Sequence, residues 1–75
     1  MPKQKIILDT TQDAIDFSHI VSKLPDSVHV YVTDNNGLKV NAKSLIGMLY
    51  SLEFEELWCE SDADIYTQIS KFIDL

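Results

Sequence analysis

The chain has 75 residues, 45% of them hydrophobic and 24% charged, a composition that fits one small folded domain and leaves no room for a second core. Six lysines and no arginine face twelve carboxylates, so the formal net charge is −6 and nucleic-acid binding is not expected of a molecule whose field repels a phosphate backbone. No apolar run approaches the roughly 20 residues that span a bilayer, and the opening Met1-Pro2-Lys3-Gln4-Lys5 lacks the character of a secretory leader, so the expectation is a cytoplasmic protein with no membrane contact.

Lys5-Ile6-Ile7-Leu8-Asp9 is short, β-branched and apolar, and predicts a first strand that leads into a helix cap. Thr10, with Asp13 three residues on, or Thr11 alone can satisfy the free amides of a first helical turn. Ala14, Phe17, Val21 and Leu24 then recur at spacings of three and four, an apolar stripe that lays the helix on a sheet until Pro25 stops it. Val28, Val30 and Val32 alternate with His29 and Tyr31, which predicts a strand with its valines facing a core. Asp34-Asn35-Asn36-Gly37 suits a tight reversal, because Asn and Gly tolerate positive φ, and folds Leu38-Lys39-Val40 back as an antiparallel partner.

Asn41 or Ser44 can cap a second helix through Leu45, Ile46, Met48, Leu49 and Leu52, a segment apolar on more of its circumference than a surface helix requires. Glu53-Phe54-Glu55-Glu56 reads as a connector. Leu57-Trp58-Cys59-Glu60 reads as a last strand whose buried face the pattern leaves open. Ser61 with Asp62 and Asp64 suits the start of a third helix, with Ile65, Ile69, Phe72 and Ile73 as its apolar stripe. The expected order is β-α-β-β-α-β-α in a single domain over residues 1–75. Cys59 is the only cysteine, which excludes an internal disulfide and predicts a reduced, partly buried thiol.

The stretch Asn36-Gly37-Leu38-Lys39-Val40-Asn41-Ala42-Lys43-Ser44-Leu45-Ile46-Gly47-Met48, followed by Ser51-Leu52, resembles the passage of histidine phosphocarrier (HPr) proteins from the central hairpin into the second helix. The resemblance implies an α+β open-faced sandwich, a four-stranded antiparallel sheet covered on one face by three helices. In that family a histidine at the start of helix one carries phosphate and is followed by Ala-Arg-Pro. The corresponding positions here hold Thr10, Thr11, Gln12 and Asp13, none of which has the nucleophilic ring nitrogen that takes and passes on a phosphoryl group at neutral pH.

A helix amino end with an arginine stabilises the phosphorylated form, and the chain has no arginine. His19 lies beyond the first turn of its helix and His29 on a strand; surface histidines are the simpler reading, with a relocated phosphoacceptor as the rival. Their spacing matches no metal motif, and neither a metal nor another cofactor is expected.

The resemblance also carries to Ser44 the regulatory phosphorylation that some HPr proteins undergo at the matching serine. The competing reading is a helix cap and nothing more. Leu45, Ile46 and Leu49 correspond to a region that docks protein partners in the family, and either form an exposed apolar contact site or lie at least half in the core. With no nucleophile and base pair and no phosphate-cradling glycine loop, no enzymatic activity is expected. The leading expectation is a non-catalytic HPr-like module that binds a protein partner related to the bacterial phosphotransferase system. A working phosphocarrier with a relocated histidine and an unrelated sensing or structural α/β module are its alternatives.

Overall fold

The computed structural model describes residues 3–75; the part of the leader expectation that falls on Met1 and Pro2 lies outside them. The elements are β1 (Gln4–Ile6), α1 (Thr11–Ser22), β2 (Val30–Thr33), β3 (Lys39–Asn41), α2 (Leu45–Ser51) and β4 (Leu57–Ser61), with a 3-10 turn at Ser70–Phe72. The strands form one antiparallel sheet in the order β1-β4-β2-β3. The fold is therefore α+β, an open antiparallel sheet with two α-helices among the described residues.

Local chemistry sets the ends of α1. Thr10 Oγ1 accepts from the Asp13 amide at 3.1 Å, and Asp13 Oδ2 accepts from the amides of Asp9 at 2.9 Å and Thr10 at 3.3 Å. This reciprocal box satisfies donors that helix geometry leaves unpaired. The helix ends with Lys23 as its carboxyl cap, two residues before Pro25. The β2–β3 hairpin turns through positive φ at Asn35 and Gly37, and Asp34 Oδ1 holds the loop by accepting from the amides of Asn36 and Leu38.

Alternation places Val30, Val32, Leu57, Cys59 and Ser61 on the buried face of the sheet. That settles the orientation of β4: Trp58 and Glu60 face away from the core. Against the inner face pack Ala14, Phe17 and Val21 of α1 and Met48 of α2, joined by Ile65, Ile69 and Phe72 from the carboxyl-terminal segment. Phe17 and Phe72 meet edge to face with centroids 5.3 Å apart.

The third helix expected from Ser61 is not formed. Ser61 belongs to β4, paired with Val30, and the Asp62 amide donates to the His29 carbonyl, so the residues that would open a helix extend the sheet instead. Farther on, the Ile7 amide donates to the Phe72 carbonyl and the Asp74 amide to the Lys5 carbonyl, tying the segment along β1. A continuous helix cannot make those extended pairings, so only short turns and the 3-10 turn remain. The apolar positions still reach the core: Ile65, Ile69 and Phe72 are buried and Ile73 packs against them.

Candidate functional site

At the amino end of α1, the position that the HPr resemblance gives to the phosphate, the chain caps itself. Thr10 and Asp13 form the capping box, Thr11 is the first helical residue, and Gln12 Nε2 donates to Asp16 Oδ1 at 2.9 Å. A carboxylate already accepts two of the local amides, and an incoming phosphoryl group would meet the negative charges of Asp9 and Asp13. Neither histidine stands there. His19 is exposed in the last turn of α1, eight residues past Thr11, roughly 12 Å along the helix by its rise per residue. His29 precedes β2, and its Nδ1 lies 2.8 Å from Asp62 Oδ2, while its backbone amide donates to Asp62 Oδ1 at 2.9 Å. Those bonds hold the Asp62 carboxyl below its ordinary value, the side-chain bond from His29 first and the amide bond next.

Ser44 caps α2, its Oγ accepting from the Gly47 amide at 3.1 Å. Asn41 reinforces the entry: its side-chain oxygen accepts from the Lys43 amide and its carbonyl from the Ser44 amide. The same carbonyl explains Gly47, since a Cβ there would lie 3.1 Å from it. Lys43 folds back with its Nζ 2.8 Å from the Pro25 carbonyl and 3.3 Å from that of Leu24, linking the start of α2 to the end of α1. Between the helices runs a groove of about 220 Å³ lined by Ile15, Ser18, His19, Ser22, Lys43 and Leu45.

The outer face of α2 is apolar and open to solvent. Ile46 is 81% exposed, Leu45 47% and Leu49 36%, whereas Met48 and Ser51 on the opposite face are fully buried. Tyr50, not singled out from the sequence, joins this face at 52% exposure, and its position one residue past Leu49 repeats the step from Leu45 to Ile46. Tyr50 meets the Phe54 ring edge to face, with centroids 5.7 Å apart. Phe54 in turn lines a cleft of about 510 Å³ with Asp34, Asn35, Asn36, Leu38, Glu53, Glu55 and Glu56. The connector thus forms one wall of an acidic recess, a grouping invisible in sequence because Asp34 belongs to the distant hairpin turn.

The helix-free face of the sheet is screened by its own side chains. Lys39 Nζ sits 4.5 Å from the Tyr31 ring centroid and 3.0 Å from Glu60 Oε1, and Lys5 Nζ lies 5.9 Å from the Trp58 ring centroid. Cys59, on the other face, is fully buried, and burial pushes its thiol up to about 12, so it is an inert core residue at neutral pH. Among the described residues no group of three or more His, Cys, Asp or Glu side chains is placed to hold a metal ion, and no helix is long and apolar enough to cross a membrane.

These features define an α+β domain with a self-capped first helix and an exposed apolar face on its second. No protein-family model, curated protein or solved structure matches the chain.

Proposed function

We propose that this protein is a non-catalytic, HPr-like module that binds a protein partner through the outer face of α2, working in the cytoplasm within bacterial phosphotransferase or carbon-regulation circuitry. The likeness to HPr proteins rests on the Asn36–Met48 motif and on the order of elements through β4. The observation that carries the reading is the amino end of α1, where the Asp13 carboxylate stands in the first turn and accepts from the cap amide of Thr10, with neither a histidine nor an arginine beside it. The exposed Leu45, Ile46 and Leu49 supply an apolar patch of the kind that protein partners cover. Ser44 borders that patch and is exposed, so a regulatory phosphate on it would add nearly two negative charges beside Leu45 and change what the face accepts.

The test is incubation of the purified chain with the general phosphotransferase enzyme and phosphoenolpyruvate, followed by mass spectrometry under conditions that preserve phosphohistidine. The expected result is no phosphate on either histidine. Stable labelling of His19 or His29 would instead make the protein a working carrier.

A further inference from the structure

We propose that the α2 contact surface continues past the carboxyl end of the helix into the acidic cleft, and that its occupant is a protein segment carrying lysine or arginine side chains beside an apolar stripe. This rests on the reading of α2 as a contact face and names the chemistry of what covers it.

Size is the first argument. A seven-residue helix is roughly 10 Å long, too short to present by itself the roughly 800 Å² per partner that a specific interface buries. The surface must run on, and the structure offers a continuous route. The Glu53 amide donates to the Tyr50 carbonyl and the Phe54 amide to that of Ser51, so the connector stays wound against the helix end. Tyr50 touches Phe54, and Phe54 lines the cleft.

Charge decides the occupant. The cleft is lined by Asp34, Glu53, Glu55 and Glu56 and by no lysine or histidine, on a chain of net charge −6; the one lysine bonded to its lining, Lys3, donates to Asn35 Oδ1 at 2.7 Å and lies 3.9 Å from Glu60, so a single cation at the edge faces four carboxylates. Covering these carboxylates with an apolar or acidic surface would strip their water and return no partner, whereas a cationic segment pairs with them as it seats its apolar side chains on Leu45, Ile46, Leu49 and Tyr50. Lys43, at the far end of the face, cannot neutralise the cleft, because its ammonium is directed at the Leu24 and Pro25 carbonyls. A second copy of the chain would bring the same carboxylates and the same net charge to the contact.

The full chain, labelled with ¹⁵N, would be titrated with three synthetic peptides: an amphipathic Leu/Lys helix, its Leu/Glu counterpart, and a Ser/Lys peptide of equal positive charge without the apolar stripe. The Leu/Lys peptide should shift amides in both 45–50 and 53–56 and bind roughly tenfold more tightly than the Leu/Glu peptide, the factor that a few exposed ion pairs supply, and more tightly than the Ser/Lys peptide, which has the same charge and no apolar side chains to bury. That preference over the Leu/Glu peptide should fall severalfold in the Glu53→Gln, Glu55→Gln, Glu56→Gln triple variant, which leaves Asp34 as the cleft's remaining carboxylate. Glutamine at position 56 still offers an oxygen to the Trp58 Nε1 donor that Glu56 now meets at 3.0 Å.

Equal binding of the Leu/Lys and Leu/Glu peptides at α2 would overturn the cationic occupant and leave the contact face standing. No shift at α2 with any peptide would remove both. Binding of the Ser/Lys peptide as tightly as Leu/Lys, or Leu/Lys binding that survives Ile46→Asp, would reduce the effect to diffuse attraction. Self-association of the free chain abolished by Ile46→Asp would make a second copy the occupant.

Discussion

Asp13 occupies the position on which the carrier question turns, and a single carboxylate oxygen there does two structural jobs, accepting from the Asp9 and Thr10 amides. Replacing it with alanine removes one side of the capping box, and the expected loss is about 1 kcal/mol, read from the urea midpoint. The Thr10–Asp13 box was legible in the sequence because both partners lie within one helical turn. The bond between His29 and Asp62 was not, since the two are 33 residues apart and only the β2–β4 register brings them together. Asp62 sets a pH dependence. Its carboxyl lies below the ordinary 3.8 in the folded chain, so the folded state holds its proton less tightly than the unfolded state does. The stabilisation is therefore present above the unfolded value and lost as pH falls through the folded one. Urea unfolding of the wild type and Asp62→Asn should differ at about pH 6 and converge as the solution is acidified toward about pH 2. A difference that grows with acidification would show that the bond acts otherwise.

At the scale of elements, α2 separates a buried from an exposed apolar side within seven residues. Met48 is fully buried and Ile46 is 81% exposed, although they stand two positions apart. Met48→Ala should cost about 2 to 5 kcal/mol by leaving a cavity, while Ile46→Asp should alter stability by no more than about 0.5 kcal/mol, both measured by denaturant titration. The sequence alone could not assign these sides, because Leu45, Ile46, Met48, Leu49 and Leu52 leave no polar stripe to mark the solvent. The strands were easier to read. Alternation at Val30–Val32 and the Asn-Asn-Gly reversal are local signals, and the hairpin forms where they place it. The third helix failed for the opposite reason: Ser61-Asp62 has a helix-start pattern, and Ser61 Oγ does accept from the Ala63 amide, but Ser61 is held extended by pairing with Val30 and the chain farther on is tied along β1, so it does not wind on as a helix. Tertiary hydrogen bonding there outweighs a local preference worth about 1 kcal/mol.

Across the whole molecule, the segment that lost its helix is still part of the fold. Ile65, Ile69 and Phe72 lie in the same buried cluster as Phe17, Val21, Val32 and Met48, and the Phe72 carbonyl receives the Ile7 amide beyond the end of β1. In a chain of 75 residues the net stability is only about 4 to 11 kcal/mol, so the domain cannot treat those side chains as an appendage. Phe72→Ala removes a ring that packs edge to face on Phe17, and the expected loss is about 3 to 5 kcal/mol, a large share of the total. Because one core unites the sheet, α1, α2 and this segment, tryptophan fluorescence from Trp58 and far-ultraviolet circular dichroism should report the same, earlier unfolding transition in the variant. If the segment were only laid on a finished domain, the two signals would keep the wild-type midpoint and hydrogen exchange would quicken along β1 alone. A single lowered midpoint seen by both probes is expected, because without Phe72 the inner face of the sheet beside α1 is left partly uncovered.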